Sequence, residues 1–157
     1  MKLPVSTEWL LHCATSLAQL EPGATASAAQ LAAYFDLPAP YLAKQLQALV
    51  RAGLLSATTG PRGGFQLARP AAEITLLEIV EAVDGGSTPF QCREIRQRGR
   101  GAHPPEDCAD ACLLAVRMHE AHRAWRSSLA GTTLADILGE LPATAPARTR
   151  RLLTDTE

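Results

Sequence analysis

Apolar residues recur at three- and four-residue intervals from Leu10 through Cys13, Ala14 and Leu17 to Leu20. That spacing predicts a first helix over about Val5 to Leu20, with Ser6 or Thr7 as its cap. A second pattern opens at Ser27-Ala28-Ala29-Gln30, a hydroxyl followed three residues later by an amide that can reach back to it. This helix carries Leu31 and Phe35 and stops at the tight turn Asp36-Leu37-Pro38. The next starts near Pro40, where a missing N–H costs nothing, and puts Leu42, Leu46, Leu49 and Val50 on one face before Gly53 ends it. Leu54 to Thr59 and Phe65 to Leu67 then flank Gly60-Pro61-Arg62-Gly63-Gly64, a β-hairpin with a glycine-rich tip. Helix, turn, helix and hairpin together, from Ser27 to Leu67, predict a winged helix-turn-helix.

Beyond the hairpin, Thr75 and Glu78 form a capping box for a helix from Ile74 to Val83 that stops at Asp84-Gly85-Gly86. Phe90 to Glu106 is a loop holding Cys92 and the arginines Arg93, Arg96, Arg98 and Arg100. A long helix is expected from near Asp107 to Gly131, with Leu113, Val116, Ala124 and Leu129 as its apolar positions and Trp125 near its end. Its stripe is large for so small a head to cover, and pairing with the same helix of a second subunit is the economical solution. Thr133 caps a short helix from Leu134 to Leu138, and the rest is rich in Pro, Ala, Thr and Arg without apolar periodicity. The expected fold is mainly α with a small β-wing. Its parts are a DNA-binding head over 1–84, a loop over 85–106, a dimerisation helix and C-terminal helix over 107–140, and a flexible tail over 141–157.

Charge sharpens the reading of the head. The chain as a whole has a net charge of −1, yet no Asp or Glu occurs from Leu37 to Ala72, where Lys44, Arg51, Arg62 and Arg69 are all basic. A surface that approaches phosphates excludes carboxylates. The outer side of the second helix of the pair offers Tyr41, Lys44, Gln45, Gln47 and Arg51 to a major groove, and Arg62 at the hairpin tip suits a narrow minor groove. The partner so defined is double-stranded operator DNA. No nucleophile–base constellation and no nucleotide loop points to an enzyme. The longest apolar runs are far below membrane-spanning length, and the first residues lack the apolar core of a signal peptide, so a cytoplasmic location is expected.

In that compartment the four cysteines read as free thiols or metal ligands. Cys13 falls on the apolar stripe of the first helix and reads as a small core residue. Cys108 and Cys112 are four apart at the expected start of the long helix, so one metal atom can bridge them. Glu8 and His12 repeat that spacing on the first helix, with Trp9 between its two faces. Two such pairs match a two-iron, two-sulfide cluster, in which each iron takes two protein ligands. Cys92 is the competing thiol. Plain thiols or a zinc site remain the alternative.

Tyr41-Leu42, Leu49, Ala52-Gly53-Leu54-Leu55, Gly60-Pro61-Arg62-Gly63-Gly64-Phe65, Leu67-Ala68 and Ile74-Thr75-Leu76, followed by Cys92, Cys108, Cys112 and Thr133-Leu134, resemble the bacterial winged-helix regulators of the IscR and NsrR type over residues 1 to 140. The cysteine spacing departs from that family's three-cysteine pattern, and Glu8-Trp9 with His12 is most similar to its redox-sensing branch, RsrR. The resemblance implies a homodimer, a crossing dimerisation helix and a 2Fe-2S cluster near the dimer interface. Carried over, Cys108 and Cys112 of one subunit hold one iron while Glu8 and His12 of the other subunit hold the second. The resemblance also implies that the oxidised form is the one that binds DNA, while the bulk of Trp9 and its place between Glu8 and His12 in sequence make it the expected switch residue. A nitric-oxide or cluster-supply sensor acting by cluster loss is the alternative within the same family.

Overall fold

A computed structural model of the chain describes residues 3–60, 63–86 and 88–154. They divide into two compact units, one comprising residues 88–128 and the other the rest.

The larger unit is the head. Its first helix, α1 (Val5–Leu17), buries Leu10, Cys13, Ala14 and Leu17. Neither Ser6 nor Thr7 caps it. Pro4 holds that position, its carbonyl accepting the Thr7 N–H at 3.0 Å, while Ser6 and Thr7 turn inward and are buried. The helix also ends a turn early, because the Gln19 and Leu20 N–H groups bond three residues back in a tightened turn. Next, α2 (Ala28–Phe35) opens on the Ser27–Gln30 capping box, with Gln30 N–H donating to Ser27 Oγ at 3.1 Å and Ser27 N–H to Gln30 Oε1 at 2.8 Å. Asp36 adopts the left-handed conformation (φ +53°) and turns the chain into α3 (Ala39–Arg51), whose Leu42, Leu46 and Leu49 are fully buried. Gly53 (φ +70°) takes the position past its end that a side chain would strain.

Strands β1 (Leu55–Thr58) and β2 (Gly64–Leu67) pair antiparallel, Leu55 opposite Leu67 and Thr58 opposite Gly64. Ala26 joins as a bridge to Phe65, exchanging two backbone hydrogen bonds of 2.8 and 3.0 Å. Then come α4 (Leu76–Asp84), α5 (Leu113–Ala130), α6 (Leu134–Glu140) and α7 (Ala145–Thr154). A bridge between Thr75 and Thr133 ties the entry of α6 to that of α4. Thr75–Glu78 and Thr133–Asp136 are both complete capping boxes. One core runs through the head, from Leu10 and Leu31 through Leu46, Leu54, Phe65, Ile79 and Leu134 to Leu153.

Glu78 links this packing to pH. Burial raises its carboxyl, but the Thr75 N–H, the Arg69 guanidinium at 2.7 Å and the Thr75 hydroxyl outweigh that and hold it below its ordinary value. A carboxylate depressed in the folded state stabilises fully above its unfolded value and loses that contribution as pH falls through the folded one. Thermal unfolding of Glu78→Gln should therefore depend less steeply on pH than wild type below about pH 4.3. Parallel slopes would show that the carboxylate contributes nothing.

Two segments differ from expectation. A flexible tail over 141–157 is replaced, as far as residue 154, by α7, because Leu153 (1% exposed) and Thr149 find a surface on α2. The long helix begins at Leu113 instead of near Asp107. After Pro104-Pro105 the chain makes a separate short turn, Pro105–Cys108, and the helix restarts at Cys112, whose carbonyl accepts the Val116 N–H at 3.0 Å.

Candidate DNA-reading surface and sensor residues

Because α3 spends Leu42, Leu46 and Leu49 on the core, the residues between them face outward. Tyr41, Lys44, Gln47 and Arg51 are exposed and Gln45 is half-buried at the edge of the same face. None of the carboxylates lies on this helix or on the hairpin. Arg62 lies outside the described residues. The two glycines that follow it nevertheless explain the hairpin motif. A side chain on Gly63 would collide with the backbone of Thr58 and Thr59, and one on Gly64 would lie 2.7 Å from the carbonyl of Ala26.

Glu8, Trp9 and His12 stand against the turn between α2 and α3. Together with Phe35 and Leu37 they line a cavity of about 270 Å³. The carboxylate and imidazole are exposed, and the His12 ring meets Phe35 at 5.8 Å between centroids. Trp9, half-buried, packs edge-on against Tyr41 with centroids 5.6 Å apart and planes at 86°. The residue singled out on α1 is thus in direct contact with the first turn of the outward-facing helix.

The cysteines other than Cys13 belong to the smaller unit. Cys108 and Cys112 do not share a helix, so the four-residue spacing does not orient them by itself. Cys112 sits at the N-terminus of α5. Its thiol is held below its ordinary value, first by the nearby Ala115 N–H and further by the Leu114 N–H, the Cys92 side chain and the Arg96 charge, against some opposing burial. A thiolate at a helix N-terminus beside a guanidinium is the form that binds metal or attacks a disulfide. Arg96 is itself fixed by Glu94, at 2.5 Å and 2.8 Å to the two carboxylate oxygens, and donates to the Asp110 carbonyl at 3.0 Å. Glu94 first, and the Cys108 and Cys112 sulfurs to a smaller degree, favour the charged form of Arg96. Cys92, twenty residues earlier in the chain, is among the groups that lower the Cys112 thiol, an influence that no local periodicity signals. Cys13 differs in kind, since burial in the core pushes its thiol up to about 12 and keeps it neutral. Among the described residues, no group of three or more His, Cys, Asp or Glu side chains is arranged to hold a metal ion. No described helix is long and apolar enough to cross a membrane.

A helix-turn-helix followed by a two-stranded wing, with an acid-free outer face, defines a winged-helix DNA-binding regulator. Residues 3–140 match the Rrf2 family, described as an iron-dependent transcriptional regulator, and the chain belongs to that family. It is 31% identical over 137 residues to a helix-turn-helix-type transcriptional regulator of Synechocystis, covering 87% of each chain. It is also 44% identical over 69 residues to IscR of Cereibacter sphaeroides, 44% of each chain. The solved structure of CymR, the global cysteine regulator of B. subtilis, superposes with a TM-score of 0.68 at 22% identity, covering 90% of this chain and 99% of that one. The relatives are regulators, not enzymes.

Proposed function

We propose that the protein is a homodimeric cytoplasmic repressor whose affinity for double-stranded operator DNA is switched by the oxidation state of a 2Fe-2S cluster. Cys108 and Cys112 would hold one iron, and Glu8 and His12 of a second copy the other. The observation that carries this reading is the chemistry of the donor set: a stabilised Cys112 thiolate, with Cys108 beside the same guanidinium. Each pair offers two donors, so neither makes a complete site alone, in keeping with ligands drawn from two copies. When bound, the cluster supplies one-electron redox chemistry. The ligand set itself follows the likeness to RsrR.

Pairing of α5 with a second copy is supported by its outer face, where Leu113 and Leu114 are 75% and 73% exposed and Met118 is 45% exposed. Such residues favour burial against a partner. Tyr41, Lys44, Gln45, Gln47 and Arg51 would contact the operator, with Arg62 from the hairpin tip. Trp9 is the link between sensing and reading, because it lies between Glu8 and His12 in sequence and touches Tyr41 of α3.

The test is the absorption and EPR spectrum of anaerobically purified protein before and after dithionite, with intact-mass measurement. A coloured, EPR-silent form that gains a one-electron signal on reduction and recovers in air supports the proposal. Signalling that proceeds only by loss of the cluster would move it to a nitric-oxide or cluster-supply sensor. A colourless, iron-free protein would favour a thiol sensor, the second reading, which the lowered Cys112 thiol at a helix N-terminus supports. For the link, Trp9→Ala is expected to keep the spectrum while the DNA affinities of the oxidised and reduced forms converge. Retention of the wild-type difference in fluorescence anisotropy titrations would remove Trp9 from the pathway.

A further inference from the structure

The helix α7 lies outside the family-matched residues and is docked firmly on the head. Thr149 and Leu153, one turn apart, are 5% and 1% exposed. Gln30 Nε2 donates to the Leu153 carbonyl at 2.9 Å, and the Tyr34 hydroxyl and Thr149 Oγ1 lie 3.3 Å apart. Arg150 reaches the Gln19 carbonyl at 3.3 Å and the Glu21 carboxylate at 3.1 Å. These contacts fix which side of α7 faces inward. At 100° per residue, Arg148 and Arg151 fall on the opposite side, and both are exposed.

Three features of this face point to one kind of partner. The helix carries Arg148, Arg150 and Arg151 and no Asp or Glu. Among the described residues, neither Arg148 nor Arg151 has an acidic partner. They stand three apart, where like charges on a helix repel unless an anion lies between them. The docking also sets its position. Gln30, which holds the last turn of α7, completes the capping box of α2, and its partner Ser27, the N-cap, follows Ala26, the residue bridged to Phe65 of the wing. The last turn of α7 is therefore held by the first turn of α2, whose N-cap residue follows the one bridged to the wing.

We propose that α7 is a second phosphate-contacting element, with Arg148 and Arg151 engaging the duplex backbone outside the bases read by α3. The proposal rests on the reading of the head as a duplex-DNA binder. Backbone contacts of this type add affinity and salt dependence without adding sequence information.

The experiment compares the full chain with Arg148→Gln/Arg151→Gln and Arg148→Lys/Arg151→Lys. The probes are a duplex selected by the wild type from a random pool and an unselected duplex, each titrated over a range of salt. For the glutamine pair, the slope of log affinity against log salt should fall by about 0.9 per lost contact, with both duplexes weakened alike. The lysine pair should restore the slope, which a merely structural role would not require. An unchanged slope in the glutamine pair overturns the proposal, as does a reduced slope that lysine does not restore. A wild type that binds neither duplex would instead overturn the DNA-binding reading, so the two failures are distinguishable.

Discussion

Anaerobically purified Cys112→Ser protein is expected to be colourless, to carry no iron or sulfide, and to bind operator DNA identically before and after dithionite. The substitution isolates the ligand from the fold. Cys112 occupies the position at the start of α5 where the Leu114 and Ala115 N–H groups need an acceptor. A serine hydroxyl is among the best acceptors there, so the helix should persist. What the change removes is the thiolate. Allosteric couplings correspond to affinity ratios of about 5–150, and here the ratio between oxidised and reduced forms should collapse to about 1. Cys13→Ser is the matched control. That thiol is fully buried and held neutral, so its replacement should leave the spectrum intact while lowering stability by about 1–3 kcal/mol, the cost of an unpaired buried hydroxyl. Colour retained in Cys112→Ser at wild-type iron content would sink the assignment of Cys112 as a ligand.

The head was legible because its signals are local. Ser27 with Gln30, Thr75 with Glu78, and Thr133 with Asp136 each satisfy orphan backbone donors within four residues, so their side chains declare the helix starts. The outward face of α3 was legible by subtraction, since the leucines claim the other side. The features that sequence reasoning missed depend on packing between distant segments. Ser6 and Thr7 look like caps, yet the core draws them inward and a proline carbonyl serves instead. Cys108 and Cys112 have helical spacing, but Pro104-Pro105 imposes a separate turn and the chain restarts at Cys112. Among the described residues of α7 only Thr149 and Leu153 are buried, too few to make a periodic stripe, and the surface that receives them lies more than a hundred residues earlier. The contact between Trp9 and Tyr41 joins two helices through side chains that the sequence reading assigned separately, one as switch and one as DNA contact.

Gly64→Ala is expected to be strongly damaging to the head, lowering stability by about 2–4 kcal/mol. The position does not need a special backbone angle; it needs room. An added Cβ would lie 2.7 Å from the carbonyl carbon and oxygen of Ala26 and 3.0 Å from the Ser27 nitrogen, all of them backbone atoms that no rotamer change can move. Relief requires β2 to separate from Ala26. That breaks the two hydrogen bonds between Ala26 and Phe65 and uncovers Phe65, which is only 7% exposed. At about 2–4 °C per kcal/mol for a chain of this size, the melting temperature should drop by roughly 4–16 °C. Gly60→Ala provides the contrast. That glycine has φ +108° but nothing within 4 Å of its missing Cβ, so its cost is conformational strain alone, on the order of 1–2 kcal/mol. The two variants should also separate in DNA binding. Because Ser27 is both the neighbour of Ala26 and the cap of α2, a displaced wing disturbs the start of the helix-turn-helix, and Gly64→Ala should weaken operator binding even well below its melting temperature. Calorimetry giving the two variants equal melting temperatures would mean that the wing is not seated on Ala26, and the close approach at Gly64 would then lose its part in holding the DNA-reading surface together.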